Sequence, residues 1–417
     1  MKLEEIYKHP FKSLIHMERY VNKGSPSGFT KKYTVSKRYD PRSDYKSFEL
    51  PFFAFPKNDL VLFREEHTVL YPKISENEDN LLFPLHPDMI PMLYEQYSIK
   101  DFSEHNIAQR LTVFPTANGR TILRLSDNRN YYIKLHYHGI IGRINRALPL
   151  SKAIAGPEIS HEIETAVGND DFPNTLAVLP ERLAIIKKTN SKLIPEIGVV
   201  FRDFEPFPFV ERTYLVPFFS LFSNDEKNTK DPFILCQIVN NYSNPLDAFE
   251  DFINMILSGY LYLVFNRGYV PEINAQNAML EITENGLPIR MVLRDLQGWE
   301  KDLDIRECNY LSCDFKSAPY KCICKKDGEK YFIRHSFSYD FKLGQYILSE
   351  IVDVFFNFFN VKIEKLEGII KDIFHKISDG KDSDYFFPRD KWYCHEDILL
   401  TEKRPYVEKS NPKYRRS

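Results

Sequence analysis

The sequence predicts an α+β fold with mixed and antiparallel sheets and long helices towards its C-terminal end. Three observations carry this reading. Strand-like apolar runs separated by breakers occupy much of residues 60–221. Phe249, Phe252, Ile253, Ile256, Leu257, Tyr260, Leu261 and Val264 then recur at helical spacing within Leu246–Phe265. A further helical region runs from about Leu343 to Ile377, with a break expected at Gly368.

The 417 residues suffice for two or three domains, each with a sizeable core. Hydrophobic content of 43% and charged content of 27% are those of a soluble globular protein. Aromatic content is high at 14%, which suits large aromatic cores or deep clefts. A formal net charge of −2 supplies no global attraction to nucleic acid or to an anionic membrane. The opening MKLEEIYKHPFK contains no apolar signal core, and the run Ile351–Phe359 is interrupted by Asp353 and Asn357. Apolar runs fall short of a membrane span, so a cytoplasmic protein is expected.

Residues 1 to about 60 read as short elements and loops, with breakers at Ser25–Gly28 and Asp40–Ser43. Leu60–Tyr71 alternates enough for strands. His86, before Pro87 in an apolar stretch, is expected to end a strand. Ile122–Leu125 and Tyr131–Leu135 read as a strand pair joined by an Asp127-Asn128 turn. Ile140–Ala147 begins a helix-like run bearing Arg143 and Arg146, continued by Ser151–Val167 with a break at Gly156-Pro157. Lys134 at a strand end and Arg146 beyond it can converge on one anion. Cations on rigid elements suit a triphosphate or a carboxylate, although solvated surface charge is their usual fate. Leu183–Ile186, Gly198–Phe201 and Tyr214–Phe219 read as a small sheet, with Arg202 directly after the second run. Gly268 is placed to cap the helix that ends at Phe265.

Pro271–Gly298 reads as a hairpin. Glu272, Asn274, Gln276 and Asn277 precede the run Ala278–Ile282. Asn285-Gly286 makes the turn, and Ile289–Leu293 returns to Arg294-Asp295. The fold-back brings the acid-and-amide cluster close to Asp295, and hard oxygen donors gathered there suit Mg²⁺ and the phosphates it carries. An ordinary hairpin with polar ends is the plainer alternative. Cys308, Cys313, Cys322 and Cys324 cluster near His335 without paired C-x2-C knuckles, so free thiols are expected there over a structural zinc. Cys236 and Cys394 are isolated.

These segments together resemble the IucA/IucC family, the NRPS-independent siderophore synthetases. Pro115-Thr116 with Arg120-Thr121 resembles the family's PT-S-x-R-T stretch, and Lys134-Leu135 with Arg146 resembles its K-L…R segment. Leu85-His86-Pro87 resembles the start of its HPWQ motif. Glu272-x-Asn274-x-Gln276-Asn277 resembles E-x-H-x-Q-N, and Arg294-Asp295-x-x-Gly298 resembles the closing RD-x-x-G. Asn411-Pro412 is similar to the family's C-terminal N-P. The ordered set covers the chain from about His9 onward.

The resemblance implies a fingers-like lobe over residues 1–175 and a palm-like lobe over 176–417. It implies a ligase that uses ATP and Mg²⁺ to adenylate a citrate-like or dicarboxylic acid, which an amine or hydroxyl then captures. Arg120, Lys134, Arg146 and Asn274 would serve the chemistry. Thr116, Asn118, Arg120, Thr121, Lys134, Arg146, Asn274, Asn277 and Asp295 would bind nucleotide. Glu272, Asn277 and Asp295 would hold the metal. His9, in a motif similar to HP-x-x-K but one residue out of step, and Arg202 would bind the substrate carboxylate. A homodimer is also implied. Three departures stand out: Asn274 replaces the family's histidine, Asn118 replaces its serine, and the chain is shorter, with the N-terminal thumb expected to be missing. An asparagine gives only neutral hydrogen bonds where a histidine can be cationic. Two alternatives therefore remain: a weakened relative that binds nucleotide or metabolite or partners an active synthetase, and a kinase-like phosphotransferase.

Overall fold

The protein is described by a computed structural model over residues 1–22, 35–64, 66–67, 80–141, 144–168, 172–317, 322–379, 386–388, 390–395 and 406–415. The expected breaker at 25–28, the outer part of the 60–71 run and Arg143 lie outside these residues. In chain order the strands are β1 (Phe48–Pro56), β2 (Leu60–Phe63), β3 (Asn80–Pro84), β4 (Ile107–Pro115), β5 (Thr121–Arg124), β6 (Tyr131–Leu135), β7 (Tyr137–Ile141), β8 (Ile144–Arg146), β9 (Leu176–Val178), β10 (Glu181–Lys188), β11 (Glu196–Asp203), β12 (Thr213–Pro217), β13 (Tyr269–Val270), β14 (Ala278–Thr283), β15 (Pro288–Leu293), β16 (Glu300–Asp302), β17 (Cys322–Ile323), β18 (Lys391–His395) and β19 (Tyr406–Ser410). The helices are α1 (Leu3–Lys8), α2 (Pro10–Tyr20), α3 (Met89–Pro91), α4 (Leu150–Ala153), α5 (Ala155–Val167), α6 (Phe218–Leu221), α7 (Ile234–Val239), α8 (Pro245–Phe265), α9 (Leu303–Cys308), α10 (Glu329–Ser336), α11 (Ser349–Phe359) and α12 (Ile363–Ser378). A π-helical stretch, Phe337–Leu348, joins α10 to α11.

The architecture is α+β, as the sequence predicts. An antiparallel sheet of order β2-β10-β11-β6-β5-β4-β1-β3 forms one lobe. A mixed sheet of order β12-β14-β15-β9 forms the base of the other, with β9 parallel to β15. The period-2 alternation of β6 divides its side chains between two cores. Ile133 and Leu135 face the core of the first lobe, whereas Tyr132 faces the second. Lys134 shares the Tyr132 face, and that parity sends its ammonium towards the second lobe.

The second lobe is built round α8. Asn244 caps its start by accepting from Leu246 N at 3.2 Å, Pro245 occupies its first turn, and Gly268, at φ +60°, turns the chain away. By length and composition this helix is apolar enough to cross a membrane, contrary to the expectation that no run is. It is the core helix instead, with 72% of its most apolar window buried inside the protein. Phe249, Phe252, Ile253 and Tyr260 are fully buried in the second core, where α8 packs on β15, α11 and α12. Each such side chain contributes about 1.5–3 kcal/mol of burial.

Several local expectations change. Ile140–Ala147 is not helical: β7 and β8 form an antiparallel pair there, in a run rich in β-branched isoleucines. Gly156 and Pro157 do not break α5 but lie in its first turn, where proline costs no intrahelical hydrogen bond. Gly368 lies inside α12, and the break falls at Asn360, whose φ of 56° is left-handed. The strand before His86 ends at Pro84, and His86 is buried two residues on. β10 and β11 complete the large sheet instead of forming a small sheet with β12. Conversely, Leu3, Ile6, Leu14 and Met17 of α1 and α2 pack into the second core. The chain therefore crosses between the sheets more than once: β9 lies in the second sheet, β10 and β11 return to the first, and the N-terminal helices pack on the second core.

Candidate functional site

Strand register brings four ionised side chains together where the two lobes meet. Glu181 pairs across from Arg202, and Lys134 lies opposite Val200 on the next strand. The open end of the β14–β15 hairpin is closed by Arg294 N donating to Asn277 O at 2.9 Å. The next residue, Asp295, has φ +69°, a left-handed conformation that Asp adopts more readily than most residues. This turn delivers its carboxylate to the cations. Asp295 Oδ1 accepts from Lys134 Nζ and from Arg202 Nη2, the latter at 2.8 Å. Glu181 Oε1 accepts from Arg202 Nη2 at 2.6 Å and lies 3.8 Å from Lys134 Nζ. Gln297, with its amide oxygen turned inward, accepts from Lys134 Nζ at 2.9 Å. Burial alone would raise the Asp295 carboxyl, but the Lys134 and Arg202 charges outweigh it and hold it well below the usual carboxylate range. Burial lowers the Lys134 ammonium, while Asp295 and Glu181 oppose that shift.

Two cavities flank this cluster. The larger, about 700 Å³ of open space, has Arg120, Arg146 and Lys152 on the first-lobe side and Glu272, Gln297 and Gly298 on the other. The smaller, about 300 Å³, is lined by Thr116, Asn118, Thr121 and Arg202 against Asn277, Arg294 and Asp295. Arg120 Nη1 donates to Arg146 O at 2.6 Å, and Arg146 Nε donates to Ile141 O at 3.1 Å, so the β7–β8 pair fixes both guanidinium groups. Burial, with Arg146 adding repulsion, pushes Arg120 down to about 10. Thr116 and Asn118 shape the turn that carries Arg120: Thr116 Oγ1 donates to Thr121 O at 2.6 Å, and Asn118 Oδ1 accepts from Arg120 N at 3.1 Å.

The two walls thus gather Thr116, Asn118, Arg120, Thr121, Arg146, Arg202, Glu272, Asn277 and Asp295, with Lys134 directly behind Asp295. His9 is not brought in. It is exposed at the elbow between α1 and α2 and lines neither cavity. Asn274 lines neither cavity either. Its Oδ1 accepts from Gln276 N at 3.0 Å and Asn277 N at 3.1 Å, which folds the turn before β14. Sequence reasoning missed Glu181, Lys152 and the Glu18–Arg294 pair. Glu18 Oε1 accepts from Arg294 Nη1 and its Oε2 accepts from Ala117 N at 3.0 Å, so α2, the Thr116–Thr121 turn and the hairpin are tied together. A buried Lys134 and Arg202 demand buried anions, and that demand was the available signal for Glu181.

The donor set fits Mg²⁺ that arrives with phosphates. Asp295 and the Asn277 amide in the smaller cavity and Glu272 in the larger offer hard oxygens of the kind Mg²⁺ takes. Glu272 Oε1 accepts from Lys342 Nζ at 2.8 Å, and Gly298 leaves room for its Oε2, which lies 2.8 Å from where a Cβ would stand. Among the described residues no group of three or more His, Cys, Asp or Glu side chains is pre-assembled to hold a metal unaided. The six cysteines are all free thiols.

No protein-family profile matches the sequence, and no curated protein does. Solved structures do match. The petrobactin biosynthesis protein AsbB from Bacillus anthracis superposes with a TM-score of 0.73 at 16% identity, covering 96% of this chain and 75% of its own. The ATP-bound aerobactin synthetase IucA from a hypervirulent Klebsiella pneumoniae gives 0.70 at 14% identity, covering 98% and 80%. The aerobactin synthetase IucC from the same pathotype gives 0.65 at 15% identity, covering 88% and 70%. The chain has the fold of these siderophore synthetases.

Proposed function

We propose that this chain is an ATP- and Mg²⁺-dependent ligase of the IucA/IucC type. It activates a citrate-like or dicarboxylic acid and joins it to an amine or hydroxyl in siderophore-type biosynthesis. One observation carries the reading: in a fold shared with siderophore synthetases, one cavity sets Arg120, Arg146 and Lys152 against Glu272, and a second sets Arg202 against Asn277 and Asp295.

A carboxylate is a poor electrophile. Its oxygen attacks the α-phosphorus of ATP, the bond to pyrophosphate breaks, and pyrophosphate leaves. The amine or hydroxyl then attacks the acyl carbon, AMP departs with the former carboxylate oxygen, and the nucleophile loses its proton to solvent. Arg120, Arg146 and Lys152 compensate the triphosphate charge as it shifts to the leaving pyrophosphate. Arg202 lines the second cavity and orients an anionic group beside Asp295, with Lys134 behind it holding the Asp295 carboxylate in place. Mg²⁺, when bound through Asp295, Glu272 and Asn277, supplies charge neutralisation at the phosphates. Thr121 and the Thr116–Asn118 turn hold Arg120 in line.

Carboxylate-dependent exchange of labelled pyrophosphate into ATP tests the first step. Exchange that depends on an added carboxylate is the expected outcome, and none with any di- or tricarboxylate refutes it. A weakened, nucleotide-binding relative is the second reading. Asn274 favours it, because its oxygen is spent on the turn and its amide cannot supply a charged donor.

A further inference from the structure

We propose that Glu181 is a positioning residue: a permanent counter-ion, seated by α5, that keeps Lys134 and Arg202 directed at the site when Asp295 leaves them for a metal-bound phosphate. The inference rests on the nucleotide reading above and adds to it a residue that touches no ligand.

Two carboxylates share the two cations, and they are not equivalent. Asp295 lines the smaller cavity and its side chain is 32% exposed. Glu181 is 0% exposed and lines neither cavity. Its seat is built from α5. Glu181 N donates to Ser160 Oγ at 2.8 Å, and Ser160 Oγ donates to Gly156 O at 2.9 Å. A Cβ on Gly156 would overlap Glu181 Oε2, so the helix is bare where the carboxylate lies. Oε1 serves Arg202 and Lys134, and Oε2 has no hydrogen-bond partner among the described residues. An ionised oxygen buried in this way is costly unless cations stand beside it.

The charge inventory explains the duplication. Were Asp295 the sole anion, its turn towards a metal would leave Lys134 and Arg202 facing one another, with Arg120 near. Like charges at such burial repel strongly and would retract the side chains. Glu181 remains behind and prevents this.

Glu181→Gln keeps the shape and removes one negative charge. Its consequences have opposite signs, which a merely structural role would not produce. Metal-free tripolyphosphate meets one more uncompensated cation and binds tighter. Asp295, now the only counter-ion, is held more firmly and yields less readily to Mg²⁺. Calorimetry on the intact protein, with tripolyphosphate plus chelator and with ATP with and without Mg²⁺, reads both effects. Tripolyphosphate affinity is expected to rise about tenfold and the affinity gain from Mg²⁺ to fall about tenfold. Gly156→Ala pushes the carboxylate from its seat and is expected to move both values in the same directions. It decides the matter if Glu181→Gln fails to fold. Unchanged binding, or an equal loss for both ligands, overturns the proposal. If the wild type binds neither probe, the nucleotide reading falls first and this inference with it.

Discussion

Replacing Asp295 by Asn removes a single negative charge from the wall of the smaller cavity. The wild-type carboxylate accepts from Lys134 Nζ and from Arg202 Nη2. Stripping one partner from a fully buried ion pair costs about 3–5 kcal/mol. Here the side chain is 32% exposed and Glu181 still serves both cations, so the expected loss is roughly 2 kcal/mol. The dependence on pH follows from the lowered carboxyl. Its folded value lies below the unfolded one, so its stabilisation is complete above about pH 4 and drains away as pH falls further. The stability gap between wild type and Asp295→Asn should thus be level near neutrality and narrow below about pH 4. Urea denaturation at a series of pH values measures it. In parallel, Mg²⁺ should cease to strengthen ATP binding in the variant. A variant with wild-type stability and an unchanged response to Mg²⁺ would refute the placement of Asp295.

Three other outcomes are expected. Glu18→Ala leaves Arg294 buried without its carboxylate and should cost about 3 kcal/mol by urea denaturation; a loss below about 1 kcal/mol contradicts the clamp. Tripolyphosphate affinity should fall in the alkaline range as Lys152, whose ammonium is pushed down by burial and by the Arg120 and Arg146 charges, loses its proton while the guanidinium groups keep theirs; calorimetry in alkaline buffers is the check, and an affinity level to about pH 11 contradicts it. Asn274→His replaces the oxygen that accepts from Gln276 N and Asn277 N with a ring nitrogen that accepts only while neutral, so urea denaturation should show stability dropping as the ring protonates below about pH 6, and polyphosphate affinity should stay unchanged because the position lines neither cavity. Tighter polyphosphate binding there would argue that this position faces the phosphates.

Local periodicity made α8 and the β14–β15 hairpin legible, because each buries one continuous pattern in a single core. The motif order also supplied both walls of the site. What escaped depends on distance and charge. Glu18 and Arg294 are 276 positions apart, and nothing local to either marks the pair. Glu181 reads as an ordinary strand-edge acid until its register opposite Arg202 is known. The β7–β8 pair was misread because short apolar runs fit helix and strand alike, yet it fixes Arg120 and Arg146. His9 carried a motif-like neighbourhood, but the N-terminal helices pack on the second core and leave it in solvent.

The most direct test incubates the protein with ATP, Mg²⁺ and a panel of carboxylates including citrate, with hydroxylamine as the trap, and identifies the nucleotide product. Activation of a carboxylate at this site predicts AMP and pyrophosphate in step with hydroxamate, abolished in Asp295→Asn. Release of ADP, or nucleotide bound but never turned over, would contradict it.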